Sequence, residues 1–268
     1  MAIRIGVFLP TSGTHSTGSG PREVRESARV AEAADLESLW ATDHLVASQP
    51  MLDSTVALST AAAVTDRIRI GFGAMLVAMR PVAWAAKEIG TLQQVSEGRL
   101  LLGIGTGNPA HGDIGWRAAG VPFAERGVRT DRALAVLPGL ISGARTALDE
   151  GLEVALAPGA SVPPILVAGN SSRARRRAAT YGDAWMPINP GLDDLPGLLT
   201  ELKDLAAQHG RLTPAVTVVA PALSTDPRRA ADELVAYEAA GVERVVLAPT
   251  GPDWRSDYAF AADVRAAQ

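Results

Sequence analysis

Apolar residues fall along this chain in two alternating rhythms. Short runs at 3–9, 38–42, 68–74, 99–104, 164–168, 184–187, 216–220 and 244–248 have the length and composition of strands. After each of them, at 21–34, 53–65, 82–96, 123–143, 172–180, 193–208, 227–240 and 253–267, small apolar residues recur at helical spacing. The run Leu100, Leu101, Leu102, Gly103, Ile104 is apolar without alternation, which suits a strand buried on both faces of a parallel sheet. Eight strands, each followed by a helix, is the count of a TIM barrel, an α/β fold of (β/α)8 type. The 268 residues suit a single domain spanning 1–268, and an open doubly wound sheet would ordinarily need fewer strands.

In such a barrel the strand C-termini open onto one face, where chemistry belongs. The segments that fall there are 10–20, 43–51, 73–81, 106–115, 169–172, 188–193, 221–226 and 249–253, rich in Gly, Ser, Thr, Asn and Pro as turning loops require. The least regular stretch is 142–162, with a short strand pair or a lid fragment expected at 148–156.

Composition narrows the function classes. With 25 Lys and Arg against 29 Asp and Glu, the formal net charge of -4 leaves no basic excess for a nucleic-acid partner. Cysteine is absent, which excludes a disulfide framework, a thiolate nucleophile and a cysteine metal site. The first apolar run follows Met1 directly without the features of a secretion signal, and no run approaches the ~18 residues of a membrane span. A soluble cytoplasmic protein is expected, with no membrane partner.

Of the four histidines, His15, His44 and His111 fall in loops after strands one, two and four, and His209 ends a helix. His44 is the best placed of them. It follows the run Ser38-Leu39-Trp40-Ala41-Thr42-Asp43 directly, where an imidazole reaches the barrel mouth and titrates near neutrality as a general base. The alternative is that Asp43 and His44 only cap the following turn. The histidine spacing matches no compact metal motif and no carboxylate pattern completes it, so no metal is expected.

Two glycine-rich turns could hold an anion. Gly105-Thr106-Gly107-Asn108 lets a backbone approach a ligand closely, although it is a poor dinucleotide fingerprint and Pro109 stops a helix from starting there. Gly169-Asn170-Ser171-Ser172 opens a helix, and its amides, the Asn170 and Ser171 side chains and a guanidinium one turn in would make a phosphate cradle. The bland reading of the first is a tight turn. That of the second is an ordinary N-cap, with Arg175 and Arg176 on a solvated face.

Taken in order, the segments Glu37-Ser38-Leu39-Trp40-Ala41-Thr42-Asp43-His44-Leu45, Arg67-Ile68-Arg69-Ile70-Gly71 and Gly98 to Gly107 resemble the bacterial luciferase-like superfamily of flavin-dependent oxidoreductases. Gly120-Val121-Pro122-Phe123-Ala124-Glu125-Arg126, Pro163 to Ser171 and Gly182-Asp183-Ala184-Trp185-Met186-Pro187 continue the likeness over nearly the whole chain. The resemblance implies a TIM barrel that binds FMN or the deazaflavin F420 at the strand C-termini. It implies that His44 is a base or hydrogen-bonding group near the reactive ring, and that a non-prolyl cis peptide at Gly73-Ala74 presses on that ring. It places phosphate contacts on Thr106, Gly107, Gly169, Asn170 and Arg173, with Asn108 and Ser171 beside them.

There are two departures from the family pattern. Asn108 stands where some deazaflavin relatives carry a glutamate acid, which argues against oxidation of a sugar phosphate, and the insertion before strand five is cut to roughly 147–162. The implied activity is F420-dependent hydride transfer, favoured over FMN-dependent monooxygenation, on a small organic molecule by a homodimer. Two other readings stay open: a flavin-free barrel lyase or isomerase of a phosphorylated substrate, and a non-catalytic flavin-binding subunit.

Overall fold

A computed structural model describes residues 2–12, 21–148, 151–219 and 223–268. Eight parallel strands close into a barrel: β1 (Arg4–Phe8), β2 (Ser38–Ala41), β3 (Arg69–Phe72), β4 (Leu100–Ile104), β7 (Ile165–Ala168), β8 (Ala184–Met186), β9 (Ala215–Val219) and β10 (Arg244–Leu247). They neighbour one another in chain order, and β10 returns to β1 with Val7 opposite Leu247. The outer helices are α1 (Pro21–Ala33), α2 (Ser54–Ala62), α3 (Val82–Val95), α5 (Arg126–Ser142), α6 (Ser172–Tyr181), α7 (Leu195–Gln208), α8 (Pro227–Ala239) and α9 (Trp254–Ala266). These are the expected (β/α)8 elements, within a few residues at each end.

Strand burial explains the unalternating apolar runs. In β4, Leu100, Leu102 and Ile104 join the large cluster between strands and helices, while Leu101 joins the cluster inside the barrel. Both faces leave water, so both must be apolar.

Inside, the bulk is supplied by Trp40, which is fully buried. Two glycines admit it: a Cβ at Gly6 would stand 2.7 Å from its indole nitrogen and one at Gly71 2.5 Å from its ring. The Trp40 indole N–H donates to Ser38 at 2.8 Å, so no donor is stranded there. Below it lies an ion pair, in which Arg244 donates to both oxygens of Glu37 and to Thr217. Burial alone would raise the Glu37 carboxyl, but the Arg244 guanidinium holds it below its ordinary value.

Three local features depart from the sequence reading. The strand pair expected at 148–156 is an antiparallel hairpin whose first strand, β5 (Thr146–Ala147), falls just before that window and whose second, β6 (Glu153–Val154), falls inside it. Pro109 does not prevent a helical turn: Pro109–His111 forms one turn of 3-10 helix, because proline needs no hydrogen bond at the first position. A short helix, α4 (Ile114–Ala118), had no clear sequence signal and carries Trp116 into a small apolar cluster with Leu76 and Ala78. Among the described residues no helix is long and apolar enough to cross a membrane, and no group of three or more acidic or histidine side chains could hold a metal ion.

Candidate active site

His44 leaves the end of β2 half-buried, and the residue before it fixes the surroundings. Asp43 is buried, and it does not cap the turn that follows. Its carboxylate accepts two bonds from Arg80, at 2.7 and 3.0 Å, one from the Ser54 hydroxyl at 3.1 Å and one from the Leu76 N–H at 2.8 Å. Four donors on one carboxylate tie the end of β2 to the start of α2 and to the loop after β3. Arg80 also lies 3.7 Å from Glu88 on α3.

The loop after β3 runs across the centre of the mouth. Gly73 donates to Ala41 on one side, Met75 donates to Gly103, and Gly105 donates back to Met75 on the other, so the loop is stitched between β2 and β4. The Gly73–Ala74 peptide is cis. A Cβ at Gly73 would stand 3.3 Å from the Phe8 ring and 3.4 Å from the Trp40 ring, which sets the floor of the mouth at these aromatic groups.

His44, Gly107 and Asn108 line one cavity together with His111, Leu45, Val46, Leu76, Met79 and Trp116. No charged side chain is in that lining. The His111 ring stands edge-on to that of His44, with centroids 5.0 Å apart and planes at 80°. Burial, followed by the neighbouring His111, pushes the His44 imidazole below its ordinary value, and Asp43 only partly opposes them. An imidazole so placed is neutral at physiological pH and is free to accept a proton.

Gly107 has φ +78°, and a Cβ there would stand 3.2 Å from the Trp116 ring. Ile104 pairs with Val167, so the turns after β4 and β7 leave the rim side by side. Thr106 and Gly107 thus leave the rim on the strand next to that which leads into Gly169, Asn170 and Ser171.

The side-chain roles in this second turn differ from the sequence reading. Both ends of the Asn170 side chain are committed to Ile188, with its oxygen accepting from the Ile188 N–H at 2.8 Å and its amide donating to the Ile188 carbonyl at 2.7 Å. Ser171 caps α6 by accepting from the Ala174 N–H, and the Asn108 side chain accepts from the Ala110 N–H. These bonds fix the shape of the loops and use the Ser171 and Asn108 oxygens as acceptors, so the Ser171 hydroxyl and the Asn108 amide keep their donor hydrogens. The main chain adds further donors.

Trp185 donates its indole N–H to the Gly169 carbonyl at 2.8 Å, and Arg175 donates to the Asn170 carbonyl at 2.7 Å. In a planar trans peptide the next N–H points opposite to the carbonyl, so the Asn170 and Ser171 N–H groups face away from these anchors. Among the described residues neither N–H donates to a main-chain acceptor, nor do those of Thr106 and Gly107. With the first-turn amides of α6 and the exposed Arg173 they form a donor set suited to a phosphate, and no side chain beyond Cα narrows the two glycine positions.

Arg175 corrects the expectation of a solvated residue. It is buried and paired with Glu201 at 2.7 Å. Sequence reasoning missed its anchoring role, and also those of Arg80, Trp185 and Trp116, because each is held in place by contacts with another βα unit: Glu201, Asp43, Gly169, and Leu76 with Ala78. His15 lies outside the described residues, and His209 meets Thr180 at 3.2 Å away from this cavity.

The fold agrees with the comparisons to known proteins. An uncharacterized protein of Mycobacterium tuberculosis is 33% identical over 171 residues, 62% of this chain and 58% of the relative, so the match spans little more than half of that protein. An F420-dependent secondary alcohol dehydrogenase in complex with an F420-acetone adduct superposes with a TM-score of 0.82 over 100% of both chains at 16% identity. The oxygenating constituent of 3,6-diketocamphane monooxygenase from Pseudomonas putida, in complex with FMN, gives 0.80 over 98% of this chain and 97% of its own at 17% identity. The profile of the luciferase-like monooxygenases matches residues 3–265, and the chain belongs to that family.

Proposed function

We propose that the protein is an F420-dependent oxidoreductase that transfers a hydride between the deazaflavin and a small, uncharged organic substrate carrying a hydroxyl or carbonyl group. The observation that carries this reading is the neutral, half-buried His44 at the edge of a cavity without charged lining. Removing hydride from a carbinol carbon requires that the hydroxyl proton leave as well, and a neutral imidazole at the end of β2 is positioned to accept it.

When bound, the deazaflavin supplies the hydride-accepting carbon, and FMN would supply oxygen chemistry. The donors offered by Thr106, Gly107, Asn170 and Ser171, with Arg173 beside them, would hold its phosphate, and Gly73-Ala74 would lie against its ring. Gly169 and Asn108 shape the turns that present those donors. Leu45, Val46, Met79 and Trp116 favour an apolar substrate body and disfavour a phosphorylated one. The reading includes a soluble cytoplasmic homodimer. Trp84 and Val56, exposed on the neighbouring helices α3 and α2, support the dimer.

Titration of the purified protein with F420 and with FMN, followed by absorbance and fluorescence, tests the reading. Saturable binding of F420, tighter than that of FMN, is expected. Tighter binding of FMN would move the protein to flavin monooxygenation, and binding of neither would overturn the proposal.

A further inference from the structure

The cavity holds a second imidazole that the proposed hydride transfer does not use. His111 sits at the end of the 3-10 turn after β4, exposed, while His44 is half-buried at the end of β2. The turn is held in place by the Asn108 cap at its start and by Gly112 at its end, with φ +71°. Trp116 packs under Gly107. The close approach of the two rings is therefore built into the segment between β4 and α4.

We propose that His111 is a positioning residue for the proton chemistry of His44: its ring, edge-on at the rim, disfavours a positive charge on its half-buried neighbour, so that His44 stays a free base. The inference rests on the reading of His44 as the base. Two imidazolium ions at a 5.0 Å separation repel, and water solvates the exposed ring far better than the half-buried one.

The other charged groups near the pair do not reverse this order. Asp43 would favour a cation on His44, but its charge is spent on Arg80, and its remaining acceptor positions on Ser54 and Leu76. Glu88 and Asp53 act on Arg80 from α3 and from the start of α2. Burial and His111 lower the proton affinity of His44 more than Asp43 raises it, which agrees with the geometry.

The test is an NMR titration of the imidazole nitrogens in the full-length, cofactor-free protein. The His44 signal is assigned from His44→Asn, and His209 serves as an internal reference. In His111→Phe, which keeps a ring and removes the charge, the His44 midpoint should move to higher pH. In His111→Lys, which fixes a positive charge, it should remain low. Superimposable His44 titrations in the wild type and His111→Phe would overturn the proposal.

A second readout is the pH dependence of diethylpyrocarbonate acylation at His44, followed by mass spectrometry. Its inflection should shift in the same direction as the NMR midpoint. Exposure makes His111→Phe a mild change for the fold, and a circular dichroism spectrum matching the wild type confirms it. Should His44→Asn retain full turnover while the coupling is seen, the reading of His44 as the base fails and the coupling stands. Should the coupling be absent while His44→Asn is inactive, only the role of His111 fails.

Discussion

Two partly buried ion pairs stand at opposite ends of the barrel and use the same chemistry to different ends. At the bottom Arg244 donates to Glu37 at 2.6 and 2.7 Å, and its other partner, Thr217, lies on a neighbouring strand. At the mouth Arg80 donates to Asp43 at 2.7 and 3.0 Å, but the same carboxylate also holds Ser54 and the Leu76 N–H. Each pair must recover the desolvation of two charges, so neither is strong evidence of added stability. The bottom pair can only fix strand register, whereas the mouth pair transmits its rigidity to His44 and to the Gly73-Ala74 loop. What surrounds a buried ion pair, and not the pair itself, decides whether it matters to function.

The largest expected effect is on this contrast. Asp43→Ala removes the main partner of Arg80 and strands the buried Ser54 hydroxyl and Leu76 N–H, and Glu37→Ala leaves the buried Arg244 guanidinium without a carboxylate; each should cost up to about 3–5 kcal/mol in urea unfolding, with Glu37→Ala toward the lower end because its carboxylate is partly exposed. Only Asp43→Ala should lose turnover per folded molecule. Equal turnover in the two variants would end the distinction between the pairs.

Next comes the residue that the mouth pair positions. His44→Asn keeps some hydrogen bonding and removes basicity, so turnover should fall about 100-fold or more with cofactor affinity little changed. Lost affinity would make His44 a ligand contact. A smaller effect follows at the edge of the cradle. Gly107→Ala puts a Cβ 3.2 Å from Trp116 at φ +78°, which should cost about 1–2 kcal/mol of stability and weaken F420 binding. An unchanged melting temperature together with unchanged affinity would show that the turn is not constrained.

The smallest effect is on stability against pH. Because the folded protein holds His44 below its ordinary value, the unfolded chain binds the proton first as pH falls. Stability contributed at this position therefore declines as pH drops through about 6.5, the unfolded value, and levels off below the folded value. The difference in urea midpoint between wild type and His44→Asn should change across that window. A constant difference would show that His44 titrates alike in both states.

The barrel was legible because its strands are buried on both faces and its helices on one, and these patterns are local. The eight runs from 3–9 to 244–248 needed no knowledge of neighbours, and the segment around His44 and the two glycine turns could be placed on the functional face from topology alone. Asn170 shows what local reading leaves out. Its polarity and its position before α6 suggest a phosphate donor, and nothing local announces that Ile188, 18 positions away, bonds both ends of its side chain. Arg175 reads as solvated in a helix containing Arg173, Arg176 and Arg177, and it becomes buried only because Glu201 and the Asn170 carbonyl come to meet it.

The sequence by itself determined the alternation of strands and helices, the absence of cysteine chemistry and the positions of the glycines, since each depends on residue type and spacing along the chain. Tertiary structure decided that Trp40 fills the barrel, that Asp43 binds Arg80, and that His111 stands beside His44. Those facts depend on groups 31 or more positions apart being brought within a few ångströms. No local periodicity encodes such pairs, because their energy appears only once the barrel has closed and water has left the space between them.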